Sequence, residues 1–170
     1  MAIGTPTGGT LGVNLSELVT ATGTSSNQGN QIALGTTQMT TDGQKYVYCL
    51  ITTPVSIYHW VGIDEDFAAS PLNAGSADAG HIIGVIQVSG SVDQSFAWVA
   101  VQGANLLGRC AAGCQPDVAL FTAFGATGLL DDASVTAEQR IEGVVAIGAA
   151  TISASAIEVM LSYPHVQLER

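Results

Sequence analysis

The sequence predicts an all-β protein, a small β-barrel or β-sandwich with an extended N-terminal arm. Three observations lead there. From Gln31 onward, short stretches rich in β-branched and aromatic residues recur about every 10–15 residues. The connectors between them carry Gly, Asp, Ser and Asn, the residues that turns require. No stretch sustains a helical period over the length of an ordinary helix. The 170 residues fit one domain, 31–170, preceded by an arm, 1–30. A chain of this length buries about two-thirds of its surface on folding, so a core needs neither metal nor disulfide.

The first thirty residues are Gly, Thr, Ser and Asn with few large apolar groups, apart from Leu11-Gly12-Val13-Asn14-Leu15-Ser16-Glu17-Leu18-Val19. That piece fits one or two helical turns with Leu15, Leu18 and Val19 on one side. The preferred reading is an extended arm that orders on a partner. Asp42-Gly43 is a hairpin-turn signal, and Gln44–Thr52 after it is a strand. Thr53-Pro54 interrupts, and Val55–Val61 alternates with a period of two. An acidic, alanine-rich loop is expected from Asp64 through Asp78. Further strands follow at His81–Val88, Ser95–Val101, Leu106–Ala112, Val118–Phe124, Ile141–Ala149 and Ala156–Tyr163, with room for one helical turn at Ala133–Gln139. The core expected from these strands is Tyr46, Tyr48, Ile57, Ile82, Val85, Phe96, Trp98, Val99, Leu120, Val145 and Val159.

Charge excludes several functions. Only 11% of residues are charged, against about 25% in an ordinary domain, while 47% are hydrophobic. Surface given over to solubility is therefore scarce, as in proteins that hide surface in an assembly. The net charge is −10, with Lys45, Arg109, Arg140 and Arg170 as the only cations. Nucleic-acid backbones are held by clustered Lys and Arg, so no nucleic acid is expected as a partner, and no anionic membrane. No apolar run approaches the ~18 residues of a membrane span. Met1–Gly12 shows neither a basic start nor an apolar stretch of a secretory leader, so synthesis in the cytoplasm is expected.

Catalytic signatures are missing. No two glycines stand at i and i+2, there is no P-loop, and neither a G-x-S-x-G elbow nor H-E-x-x-H occurs. His59, His81 and His165 lie far apart in sequence without the paired spacing of metal ligands. Cys110 and Cys114 form a C-x₃-C pair with Cys49 alone. Buried thiols are the first reading; a disulfide, a redox pair and half a zinc site stay open. Asp64-Glu65-Asp66 and Asp131-Asp132 offer oxygen ligands for a hard cation or a pair of glycosidase carboxylates, but lack the EF-hand spacing and read first as solvated loops. The expectation is no catalytic residue, no cofactor and no metal.

Four stretches together resemble the small decoration, or cement, proteins of tailed-bacteriophage capsids. They are Asp42–Tyr48 leading to Val61–Phe67; Gly80–Val88 followed by Phe96–Gly103; Cys114–Thr122 with Gly128–Asp132; and Ile141–Gly148 with Ile157–Pro164. They cover roughly residues 40 to 165 as a strand-and-turn pattern with no invariant signature. The resemblance implies a non-enzymatic structural virion protein on the outer capsid surface, in many copies, often as a homotrimer, with the major capsid protein as partner. The competing readings are a phage tail or head-fibre module contacting the host, an extracellular carbohydrate-binding β domain, and an enzyme using the acidic residues.

Overall fold

The computed structural model describes residues 19–20, 32–73, 81–88, 95–123, 125–133, 139–152 and 155–167. Among them are eleven strands and no helix: β1 (Val19–Thr20), β2 (Thr37–Met39), β3 (Lys45–Ile51), β4 (Trp60–Ile63), β5 (Ala68–Pro71), β6 (Ile82–Ile86), β7 (Ser95–Cys110), β8 (Leu120–Thr122), β9 (Leu130–Asp131), β10 (Arg140–Ala146) and β11 (Ser155–Val166). The protein is all-β. Of the predicted arm, only Val19 and Thr20 are described; they are extended and pair antiparallel with Phe96 and Ser95. The remainder of residues 1–30, and most of the helical turn expected at Ala133–Gln139, lie outside the described residues.

All strands belong to one mixed sheet organised around β7. The first half of β7 pairs with β3, and residues Val99 and Ala100 also pair with β6. Strands β3, β5, β4 and β6 pair in turn, so with β7 these five strands return on themselves. The second half of β7 pairs with β11, and β11, β10, β8 and β9 lead back to Cys110 of β7, making a second closed ring.

Side chains alternate across a strand, and here both sides of the first ring are covered. Val47, Cys49 and Ile51 of β3, Val61 and Ile63 of β4, Ile86 of β6, and Ala97, Val99 and Val101 of β7 fill its inside. Their neighbours Tyr46, Tyr48, Trp60, Ile83, Val85, Trp98 and Ala100 face the larger core shared with the second ring. Burial on two faces explains why these strands read as nearly continuous apolar runs. The inside is tight: a Cβ on Gly84 would stand 2.3 Å from Val99 Cγ1. In the larger core Tyr48 lies 5.0 Å from Trp98 and stacks on Phe96 at 5.9 Å.

Several predicted strands need correction. Ser95–Val101 and Leu106–Ala112 are one strand of 16 residues. Gly103 (φ +124) and Asn105 (φ +57) are turn-like in sequence, yet they bend β7 where its partner changes from β3 to β11. The Gln44 side chain holds that bend by donating to Ala104 O at 2.9 Å. Val55–Val61 is not a strand over its first part. Tyr58 sits at φ +65, its N–H donates to Ile86 O and its carbonyl accepts from Arg109 N, and pairing starts only at Trp60. Conversely, β5 lies inside the predicted acidic loop, because Asp64 Oδ1 accepts from the N–H groups of Asp66 and Ala68 and turns the chain back onto β4.

Of the predicted core, Tyr46, Tyr48, Val85, Trp98, Val99, Leu120 and Val159 are buried, and Ile57, Phe96 and Val145 are half-buried. Ile82 is 42% exposed while Ile83 is fully enclosed. Two adjacent isoleucines carry no alternation from which a face can be assigned.

Candidate interaction surface

Strands β10 and β11 form an antiparallel pair whose register shifts between Glu142 and Val144. Three residues of β11, Ser162, Tyr163 and Pro164, stand against the one residue Gly143 of β10; Tyr163 among them takes φ +48, and its ring is 45% exposed in this bulge. Lys45, the sole lysine, reaches across from β3 and donates to Tyr163 Oη at 2.6 Å, with Nζ 5.0 Å from the ring centroid. Met39 on the edge strand β2, opposite Lys45 in the ladder, is 47% exposed. On β11 Met160 is 45% exposed and pairs with the half-buried Val145. Beside Met160 a groove of about 450 Å³ is walled by Gln102, Gly103, Ala104, Val145, Leu161 and Ser162, among others, none of them ionisable. Thioether and aromatic groups of this kind lose little hydration when covered.

The chemistry-bearing residues of the sequence are distributed as structural devices. His59 is half-buried; its Nε2 lies 3.0 Å from Arg109 Nη1 and its Nδ1 lies 3.3 Å from Ser56 N. Burial and the guanidinium hold its pKa below the ordinary value of 6.5. His81 lines a cavity of about 130 Å³ with Asp64, Ser70 and Thr52. His165 stands 3.6 Å from Glu142, on the surface, where such pairs contribute little. Among the described residues no group of three or more His, Cys, Asp or Glu could hold a metal ion.

The acidic clusters expected to be solvated are partly engaged with backbone. Asp131 Oδ1 accepts from Asp132 N at 2.8 Å, and Asp132 Oδ2 accepts from Gln115 N at 2.9 Å. Glu65 and Asp66 are exposed. All three cysteines are buried and unbridged. Burial, with a contribution from Asp64, pushes the Cys49 thiol up to about 12.

Sequence reasoning missed the glutamines. Gln87 donates to Leu107 O at 2.8 Å and accepts from Leu107 N at 3.3 Å, so its amide stands in for one more ladder residue between β6 and β7. Gln44 accepts from Tyr46 Oη at 3.0 Å in addition to bracing the bend of β7. For Gln87 the signal is a lone polar residue flanked by apolar strand residues, Ile86-Gln87-Val88, whereas nothing local marks Gln44, between Gly43 and Lys45. No protein-family model matches the chain, and no curated protein matches it significantly.

Proposed function

We propose that this chain is a structural virion protein that binds the outer surface of a phage capsid as a symmetric oligomer, most simply a trimer, and stiffens the shell. What supports the reading is the resemblance of the strand-and-turn pattern, over roughly residues 40 to 165, to that of decoration proteins. The stretches bearing it contain β6, β8 and β9 and overlap β3, β4, the first half of β7, β10 and β11. The composition supports it: with 11% charged residues, little solvated charge is stripped when surface is covered. A packaged genome pushes capsomers apart, and a protein bridging neighbours raises the barrier to their separation without bond chemistry. Linked contacts gain from effective concentration, so an oligomer holds more firmly than one copy.

The test is to purify particles with and without this protein, then measure its copy number and the temperature at which DNA escapes. Hundreds of copies per particle, with earlier DNA release in their absence, is the expected result. A few copies located on the tail would favour the fibre reading instead. Absence from the virion would overturn both.

A further inference from the structure

The C-x₃-C pair is held in a geometry that its sequence spacing alone does not reveal. Cys110 is the last residue of β7 and is paired with Leu130 of β9. The chain then reverses through Ala111–Cys114, where Gly113 takes φ +91 and Cys114 N donates to Ala111 O at 3.4 Å. Both ends of this turn are fixed. Ala111 N donates to Leu130 O at 2.8 Å, Gly113 N to Ala150 O at 2.8 Å, and Ala150 N to Cys114 O at 2.8 Å. The two side chains enter the same core cluster at 0% exposure from the two ends of this one turn. Cys49 belongs to the other cluster, inside the first ring.

We propose that Cys110 and Cys114 are an oxidation site: a low-molecular-weight disulfide of the glutathione class converts them to an intramolecular disulfide that closes residues 110–114 into a loop. The thiolate of Cys114 attacks one sulfur of the small disulfide, forming a mixed disulfide and releasing one thiolate. Cys110 then attacks the Cys114 sulfur, expels the second thiolate, and the two protein protons end on the two released thiols. The protein loses two hydrogens and two electrons, and one small disulfide becomes two thiols.

The order of attack follows first from access, because Cys114 sits at the exposed end of the turn and Cys110 at the end of β7. The neighbouring Cys114 sulfur and then burial hold the Cys110 thiol well above the ordinary value. The neighbouring Cys110 sulfur draws the Cys114 thiol below the ordinary value against the opposing push of burial and of Asp132 and Asp131. Access comes through the turn itself, since Ala112, Gly113 and Gln115 around Cys114 are exposed and a local opening that releases the two bonds to Ala150 uncovers the Cys114 sulfur. The site is independent of the proposed virion role.

The experiment uses the full chain, purified reduced and then incubated folded with oxidised glutathione. After quenching and unfolding, free thiols are counted and the mass and peptide map are read. The expected result is a fall from three thiols to one, a loss of two hydrogen atoms in mass, and a bridged Cys110–Cys114 peptide. Closing so short a loop raises Tm by about 5 °C. Cys49→Ser keeps the two-thiol loss, whereas Cys110→Ser stops at a stable glutathione adduct on Cys114. Three surviving thiols would overturn the proposal, and so would a bridge that includes Cys49. A wild-type chain that stops at the mixed disulfide would overturn it as well, because the sulfurs would then be unable to close.

Discussion

The core inside the first ring holds Val, Ile, Ala and one Cys, with Phe67 only packed against its margin, whereas the larger core beside it holds Trp60, Trp98, Tyr46 and Tyr48. Both are built from the same strands, often from adjacent residues. Trp60 faces one and Val61 the other, as do Trp98 and Val99. The difference teaches that side-chain size here follows the space a face encloses. Five strands returning on themselves leave an inside too narrow for rings, and the wider gap between the two rings takes every fully buried aromatic among the described residues.

Unequal space predicts unequal responses to mutation. The largest expected effect is Trp60→Ala, which empties the larger core and orphans Arg109 O, now an acceptor from Trp60 Nε1 at 2.8 Å. It should cost about 3–5 kcal/mol in urea unfolding, and a loss below about 1 kcal/mol would break the assignment of that core. Ala97→Leu acts by the opposite means, overfilling the small core at about 1–3 kcal/mol. The same exchange at the half-buried Ala68 should be far milder, and equal costs at the two positions would mean that the ring is looser than its pairing implies. Gln87→Leu tests the seam. It leaves both polar groups of Leu107 without their side-chain partner and should cost about 1–2 kcal/mol, with faster amide exchange along the second half of β7. Met160→Ser, on the outward face, should stay within about 0.5 kcal/mol.

The smallest effect is that of pH. His59 has a folded pKa below its unfolded value near 6.5, so between those two values the unfolded chain binds more protons. Stability from this group is fully present above about pH 6.5 and is lost as pH falls toward the folded value. The unfolding midpoint of the wild type should therefore drop on acidification through this window by more than that of His59→Gln. Identical drops would remove His59 from the account.

The fold class was legible because β-branched and aromatic residues cluster in short stretches, and one-sided packing was not needed to see it. The same feature hid the faces. At Ile82-Ile83 two adjacent isoleucines remove the alternation although only Ile83 is covered, and the assignment fails by one residue. The bend in β7 was read as a turn because Gly103 and Asn105 are turn residues, and only partners distant in sequence, β3 and β11, show that the strand continues. Strand β5 escaped because Ala68-Ala69-Ser70-Pro71 has low strand propensity. Its small residues are required by the narrow ring that encloses Ala69. The Lys45–Tyr163 contact joins residues far apart in the chain and depends on a bulge that no local pattern announces.

The shared strand also sets an order of events during synthesis. Every member of the first ring lies between Lys45 and Gln102, so that ring can close as soon as those residues have emerged. The second half of β7 must wait for β11, whose Ser155 pairs with Cys110 and whose Ser162 pairs with Gln102. At about 5–20 residues per second, the interval to Val166 is about 3–13 s. Throughout it the ribosome holds a finished ring with an open edge, Leu106 and Cys110 included, and that edge is the stretch most exposed to wrong partners before the chain is complete.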